Sequence, residues 1–155
     1  MKRIVSALLA LAVSAALVLV TTGGKHSITA VHAQGGGCSL ATLNGSYGFT
    51  SSGFTTPDHS IKGAEVPFAV VGGGNFDGAG NFSVNYTLAI RGVSSPGLTT
   101  SGTYTVNPDC TGTATFTAGA AAGTTENMVI VSGGAEVFQI ITSPSFTGTF
   151  DVKKE

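Results

Sequence analysis

Residues 81–90 read Asn-Phe-Ser-Val-Asn-Tyr-Thr-Leu-Ala-Ile, and this stretch decides the fold class. Its apolar side chains occupy every second position: Phe82, Val84, Tyr86, Leu88 and Ile90. Successive side chains of a β-strand point to opposite faces of the sheet. A strict period of two therefore predicts a strand with one buried face and one solvated face.

Seven further segments have strand character: 46–54, 65–76, 98–106, 111–118, 124–131, 135–142 and 146–153. Together with residues 81–90 they predict an all-β protein. Short connections rich in Gly, Asp, Asn and Pro join most of them, as hairpins require. Eight sequential antiparallel strands predict an up-and-down barrel, because a meander of this size closes around side chains or one small ligand. A two-sheet β-sandwich is the alternative, since alternation alone does not distinguish closure from sheet packing.

The predicted inner face is rich in aromatic residues. It comprises Tyr47, Phe49, Phe68, Val70, Phe82, Tyr86, Leu88, Tyr104, Phe116, Phe138, Phe146 and Phe150. Segments 124–131 and 135–142 are apolar on both faces, so the pattern leaves the orientation of Glu126, Asn127 and Gln139 open. Any of these that faces inward would need a partner or would mark a polar spot in a ligand cavity.

The N-terminus has the pattern of an export signal. Met1-Lys2-Arg3 is followed by an apolar run over residues 4–20, which predicts a signal-peptide helix. The small residues of Val31-His32-Ala33 predict cleavage after residue 33, so that residues 34–155 form a single β-barrel domain. An uncleaved N-terminal anchor is the alternative. The predicted location is secreted or periplasmic.

Charge and cysteine content restrict the partners further. Only 10% of the 155 residues are charged, and residues 34–155 carry four basic and eight acidic side chains. This balance excludes a nucleic-acid binder and disfavours membrane association after cleavage. Cys38 and Cys110 predict one disulfide in an oxidising compartment. It would tie residues 39–43, which have room for one helical turn at most, across one end of the barrel.

Three stretches carry a resemblance: 43–49 (LNGSYGF), 75–81 (NFDGAGN) and 102–113 (GTYTVNPDCTGT). They resemble motifs of uncharacterised secreted proteins common in soil bacteria of the acidobacterial kind, and the likeness covers most of residues 34–155. These motifs are turns and strand starts, so the resemblance implies a shared fold and no assigned chemistry. The layout is also similar to lipocalin-like and allene-oxide-cyclase-like barrels, at the level of architecture alone.

The densest group of titratable residues lies between the first two predicted strands, at Asp58, His59, Lys62 and Glu65. A histidine beside carboxylates can act as a general base or orient a ligand at a barrel mouth. The same residues also fit a solvated turn. The predicted ligand-binding residues are therefore His59, Asp58 and Glu65 from this connection, and Tyr86, Tyr104 and Phe116 from the inner face.

Catalytic and metal-binding motifs are missing from the sequence, which has no Gly-x-Ser-x-Gly, no phosphate-binding loop and no His-Glu-x-x-His. Asn75, Asp77 and Asn81 offer oxygen ligands, but they lack the repeated acids of a calcium loop, and a glycine hairpin accounts for them. We therefore predict no catalytic residue, no metal and no cofactor.

Three functions are compatible with this sequence. The first is a binding module that holds a small apolar or aromatic molecule, which predicts a cavity of at least about 300 Å³. The second is a structural or self-associating surface protein with a filled barrel. The third is a small isomerase or cyclase that uses His59, Asp58 or Glu65. The sequence makes no prediction of the oligomeric state.

Overall fold

The structure is a computed structural model that describes residues 37–55 and 65–155. The predicted signal segment and the residues Asp58, His59 and Lys62 lie outside the described residues. The described part of the chain forms two short 3₁₀ turns, Leu40–Thr42 and Ser132–Gly134, and eight strands. The strands are β1 (Asn44–Thr55), β2 (Val66–Asp77), β3 (Asn81–Ile90), β4 (Val93–Val106), β5 (Thr111–Gly119), β6 (Thr125–Val131), β7 (Glu136–Ile141) and β8 (Phe146–Lys154).

These strands form a closed antiparallel barrel in sequence order. Each strand pairs with the next, and β8 returns to pair with β1, where Phe49 lies opposite Val152. Closure leaves no strand with an unpaired edge. The predicted eight-stranded up-and-down barrel is confirmed, and the alternative of two packed sheets is wrong.

The hairpin between β3 and β4 is longer than the sequence predicts. Residues 93–97 have turn-type composition and are expected to be a loop, but Val93 pairs with Ile90 and Ser95 pairs with Leu88. Arg91 and Gly92 both have positive φ, the conformation of a tight two-residue hairpin turn. The pairing shifts register between Tyr86 and Leu88, opposite Pro96 and Gly97, and such a bulge accommodates a proline that cannot donate a ladder hydrogen bond.

Alternation along each strand separates an inner from an outer face. Most of the predicted core faces inward, as the full burial of Tyr47, Phe82 and Tyr104 illustrates. Phe138 is a correction, because its side chain is on the outer surface and 49% exposed. The inward residues of β7 are instead Val137, Gln139 and Ile141, all buried. The sequence is ambiguous here because both faces of this strand are apolar.

One end of the barrel, here the capped end, is closed by the segment that precedes β1. The disulfide Cys38–Cys110 joins this segment to the β4–β5 turn, which confirms the predicted pairing. The 3₁₀ turn Leu40–Thr42 follows, and Leu43 behind it is completely buried. The opposite end, here the far end, is where β1, β3, β5 and β7 finish and the even-numbered strands begin.

Glycines in β2 make room for aromatic rings inside the barrel. Gly72 lies opposite both Phe49 and Tyr86 in the strand ladders. A Cβ atom at position 72 would lie 2.6 Å from Cβ of Tyr86 and 2.8 Å from Cζ of Phe49, closer than real side chains approach. The missing side chain therefore lets these rings extend across the barrel.

Candidate functional site

The interior of the barrel is not filled, and it contains a cavity of about 200 Å³. Its wall is largely apolar and includes nine aromatic rings: Tyr47, Phe49, Phe68, Phe76, Phe82, Tyr86, Phe116, Phe146 and Phe150. Three small residues of the β5–β6 turn, Ala120–Ala122, line it at the far end. The cavity is smaller than the volume of about 300 Å³ that the sequence analysis set for a binding module. It is larger than an engineered apolar cavity of about 150 Å³ that holds benzene.

The rings around this space pack in pairs. Phe49 and Phe150 lie on paired strands with centroids 5.8 Å apart, and Phe68 and Phe146 make an edge-to-face contact at 6.2 Å. Phe116 packs edge-on against Phe82 at 4.9 Å. Edge-to-face packing fixes ring orientations beyond simple area burial. These ring pairs therefore give the cavity wall a defined shape made of flat apolar surfaces.

Two polar side chains interrupt this wall, Glu126 of β6 and Gln139 of β7. Glu126 is 1% exposed and Gln139 is 8% exposed. Glu126 pairs with Ile141, whereas Gln139 pairs with Met128, so the two are diagonal neighbours on the inner face. This answers the question that the sequence pattern leaves open for these residues, because both face the cavity. Asn127, between Glu126 and Met128, is exposed on the outer face.

One oxygen of the Glu126 side chain is buried without a hydrogen-bond partner, whereas the hydroxyls of Thr100 and Tyr47 are paired. The hydroxyl of Thr100 donates to the carbonyl of Ala118 over 2.6 Å, and that of Tyr47 donates to the carbonyl of Gly134 over 2.8 Å. Oε1 of Glu126 is buried and has no hydrogen-bond partner within the described parts of the chain. Burial raises the pKa of Glu126 to about 8. Burial therefore favours the neutral form of the carboxyl group, which has one O–H donor to offer.

The predicted binding residues fall in different places. Tyr86 and Phe116 line the cavity, and burial raises the pKa of the Tyr86 phenol. Tyr104 lies in the packed core, where its hydroxyl donates to the carbonyl of Leu43 over 2.9 Å, with the carbonyl of Leu40 at 3.1 Å. It thus fastens the capped end. Glu65 is exposed immediately before β2, and Asp58 and His59 lie outside the described residues.

Glu126 and Gln139 are absent from the predicted binding residues. The available signal was a charged residue within an otherwise apolar strand, which is rare unless the residue is exposed or functional. Orientation decides between those cases. The orientation of the side chain depends on the register of β6. The sequence does not reveal this register because both faces of the strand are apolar.

A neutral carboxylic acid in an apolar cavity can donate a hydrogen bond or act as a general acid. Acid–base catalysis of an isomerase or cyclase also needs a second group of suitable pKa facing the same substrate. Among the described lining residues, the other ionisable side chains are the phenols of Tyr47 and Tyr86. The described wall therefore combines one carboxyl group and two phenols with an apolar surface.

The turn at Asp77 is a self-contained hairpin connection. Oδ1 of Asp77 accepts the backbone N–H groups of Ala79 and Asn81, and the Asn81 amide donates to Oδ2. Within residues 37–55 and 65–155 there is no cluster of three or more potential metal ligands. The same residues contain no helix long and apolar enough to cross a membrane.

Comparison of the chain with family models, with curated proteins and with solved structures found no match. The resemblance to secreted proteins of soil bacteria, and the architectural likeness to lipocalins, therefore stay predictions.

Proposed function

We propose that this protein is exported and binds a small apolar or aromatic molecule inside its barrel. The observation that carries the proposal is the cavity of about 200 Å³, walled by aromatic rings and interrupted by two buried polar side chains. Ligand sites commonly combine an apolar wall with a few polar groups that orient the ligand. The volume suits a molecule of one ring and a few further atoms.

Export is supported by the disulfide Cys38–Cys110, because such bonds persist in oxidising compartments outside the cytosol. The apolar run over residues 4–20 supplies the signal. Native mass spectrometry of the protein purified from its own cells tests both parts. We expect a chain that begins at Gln34 and carries an adduct of the mass of a small organic molecule. A full-length chain would contradict the predicted cleavage.

Binding inside the barrel is tested with two variants that differ by one position. Val70 lines the cavity, whereas Val71 is 58% exposed on the outer face of the same strand. We expect Val70→Phe to fill the cavity and abolish binding of α-methylstyrene, a single-ring hydrocarbon. Val71→Phe is the matched control and is expected to bind it as the wild type does. Equal binding by both variants would place the ligand elsewhere and overturn the proposal.

Self-association is a second candidate, and one surface favours it. Val129, Phe138 and Ile140 are each 49% exposed on the outside of β6 and β7, where Val129 lies directly opposite Phe138. Lys153 lies beside them between Glu136 (3.4 Å) and Asp151 (3.3 Å). An apolar centre flanked by both signs of charge is complementary to a second copy of itself. Phe138→Ser should then convert a dimer to a monomer in sedimentation, whereas Val93→Ser should not.

A further inference from the structure

Glu126 and Gln139, the polar pair inside the barrel, indicate the chemistry of the proposed ligand. Glu126 lies between Ala114 of β5 and Ile141 of β7 in the strand ladders, so its immediate neighbours across the sheet are apolar. Gln139 is its diagonal neighbour on the inner face. Both side chains are at least nine-tenths buried, and both line the same cavity.

The carboxyl group of Glu126 is unsatisfied as it stands. Its Oε1 atom is buried and has no hydrogen-bond partner in the described part of the chain. Burying such a group without a partner is destabilising, so native proteins pair nearly all of them. A ligand atom in the adjacent cavity would provide the missing partner.

We propose that Glu126, with Gln139 beside it, recognises an oxygen atom on the ligand, and that the cavity takes a neutral single-ring molecule bearing a carbonyl group. This inference rests on the proposed binding function and specifies its ligand class. A carbonyl oxygen accepts two hydrogen bonds, one from the acid O–H of Glu126 and one from the amide of Gln139. The apolar ring then packs against the phenylalanine side chains around it.

The groups around Glu126 provide no charged partner that would hold its carboxyl group ionised. No basic side chain lines the described wall, and its other ionisable groups are the phenols of Tyr47 and Tyr86. Glu136 of β7 faces outward, where it pairs with Lys153. With its pKa at about 8, Glu126 keeps its proton at neutral pH. An ammonium ligand would require an ionised Glu126 and the desolvation of two charges.

Three probes of nearly equal shape test this ligand class in the disulfide-bonded protein. Acetophenone presents a carbonyl group, α-methylstyrene replaces the oxygen with carbon, and 1-phenylethylamine presents an ammonium group. At pH 6 we expect acetophenone to bind about tenfold more tightly than α-methylstyrene, the usual effect of one good hydrogen bond. At pH 9.5 the acid is ionised and no longer donates, and we expect this preference to weaken because only the amide of Gln139 remains as a donor. The raised pKa values of the Tyr47 and Tyr86 phenols keep them neutral at that pH.

Two variants separate the carboxyl group from the rest of the cavity. Glu126→Gln keeps a donor that does not ionise, so the tenfold preference should persist at both pH values. Glu126→Leu removes this donor and leaves only the amide of Gln139, so the preference for acetophenone should be weaker than in the wild type and should not change with pH. If Glu126→Leu does not fold, the pH profile of Glu126→Gln still tests whether the carboxyl group of Glu126 makes the hydrogen bond to the probe. Glu136→Gln, on the outer face of the adjacent strand, is the control and should match the wild type.

The outcomes distinguish this inference from the proposed function. Equal affinity of the wild type for acetophenone and α-methylstyrene at pH 6 would overturn the carbonyl assignment and leave the binding function intact. Tightest binding of 1-phenylethylamine would do the same and identify Glu126 as a site for a cation. If the wild type binds none of the three probes, the proposed function fails, and this inference fails with it.

Discussion

The two ends of the barrel are built on opposite principles. At the capped end the disulfide Cys38–Cys110 holds the N-terminal segment in place, and the hydroxyls of Tyr47 and Tyr104 donate to backbone carbonyls. Beyond it lie the cavity and the unsatisfied carboxyl group of Glu126, near the far end of β6. Phe146 at the start of β8 is 39% exposed.

This difference separates a stabilised end of the barrel from a hollow region. A cross-link and two paired hydroxyls stabilise the capped end, because Tyr47 and Tyr104 each donate to a backbone carbonyl. A cavity forfeits packing contacts, and an unpaired buried carboxyl group is destabilising. The capped end therefore supplies stability that the hollow region lacks. Substitutions at the two ends should accordingly change stability in opposite directions.

The largest expected effect is at the capped end. The double variant Cys38→Ser/Cys110→Ser opens a cross-link between residues 72 positions apart. Chain entropy predicts a loss of about 4 kcal/mol in the free energy of unfolding, which lowers Tm by about 15 °C in a domain of this size. Calorimetry of both proteins measures the change. Superimposable unfolding curves would show that the cap is held by its packing alone.

The second effect has the opposite sign and lies in the cavity. The pKa of Glu126 rises from an ordinary 4.5 to about 8 in the folded barrel. Between these values the folded state holds a proton that the unfolded state has released, so stability falls as pH rises through this window and is constant above it. Glu126→Gln removes that dependence and should be more stable than the wild type by about 3 kcal/mol at pH 9, since water penetration relaxes part of the burial penalty.

Urea unfolding of both proteins at pH 4.5, 6, 7.5 and 9 measures the slope. Glu136→Gln is the matched control, because Glu136 lies on the outer face of β7 in an exposed ion pair. Relative to the wild type, Glu136→Gln should show no gain in the free energy of unfolding as the pH rises. A wild type whose stability is flat from pH 4.5 to 9 would contradict the buried, protonated state of Glu126.

Most of the fold could be predicted from local sequence patterns. The alternation over residues 81–90 identifies a strand without any tertiary information, and the glycine-rich turns imply hairpins. Eight sequential strands favour closure, although alternation alone also allows two packed sheets. The disulfide follows from two cysteines in a chain with a predicted export signal. Each of these inferences depends on neighbouring residues or on a simple count.

The site could be predicted only in part, because alternation determines the face of a side chain and not its height along the barrel. Tyr86 and Tyr104 lie on adjacent strands and both point inward, yet Tyr86 lines the cavity and Tyr104 fastens the cap. Their heights depend on pairing register, including the shift after Tyr86. In β6 and β7 even the face is ambiguous, which explains both the error at Phe138 and the uncertainty at Glu126.

The two tyrosines also allow the comparison of the two ends to be sharpened with a single chemical change. Tyr104→Phe removes the hydroxyl that donates to the carbonyl of Leu43 and leaves that buried carbonyl short of a donor. We expect a loss of about 1.5 kcal/mol in the free energy of unfolding. Urea unfolding at pH 7 measures it. An unchanged midpoint would mean that water replaces the phenol at the cap.

Tyr86→Phe makes the same change in the cavity and is expected to have the smallest effect. Within the described residues the Tyr86 hydroxyl has no hydrogen-bond partner that its removal would leave unsatisfied, so stability at pH 7 should change by less than about 0.5 kcal/mol. Because burial raises the pKa of this phenol, the wild type should lose stability above pH 10 as the folded state resists ionisation, and the Phe variant should lose less. If Tyr86→Phe destabilised the barrel as much as Tyr104→Phe at pH 7, the hydroxyl in the cavity would have a structural partner, and the contrast between the two ends would no longer hold.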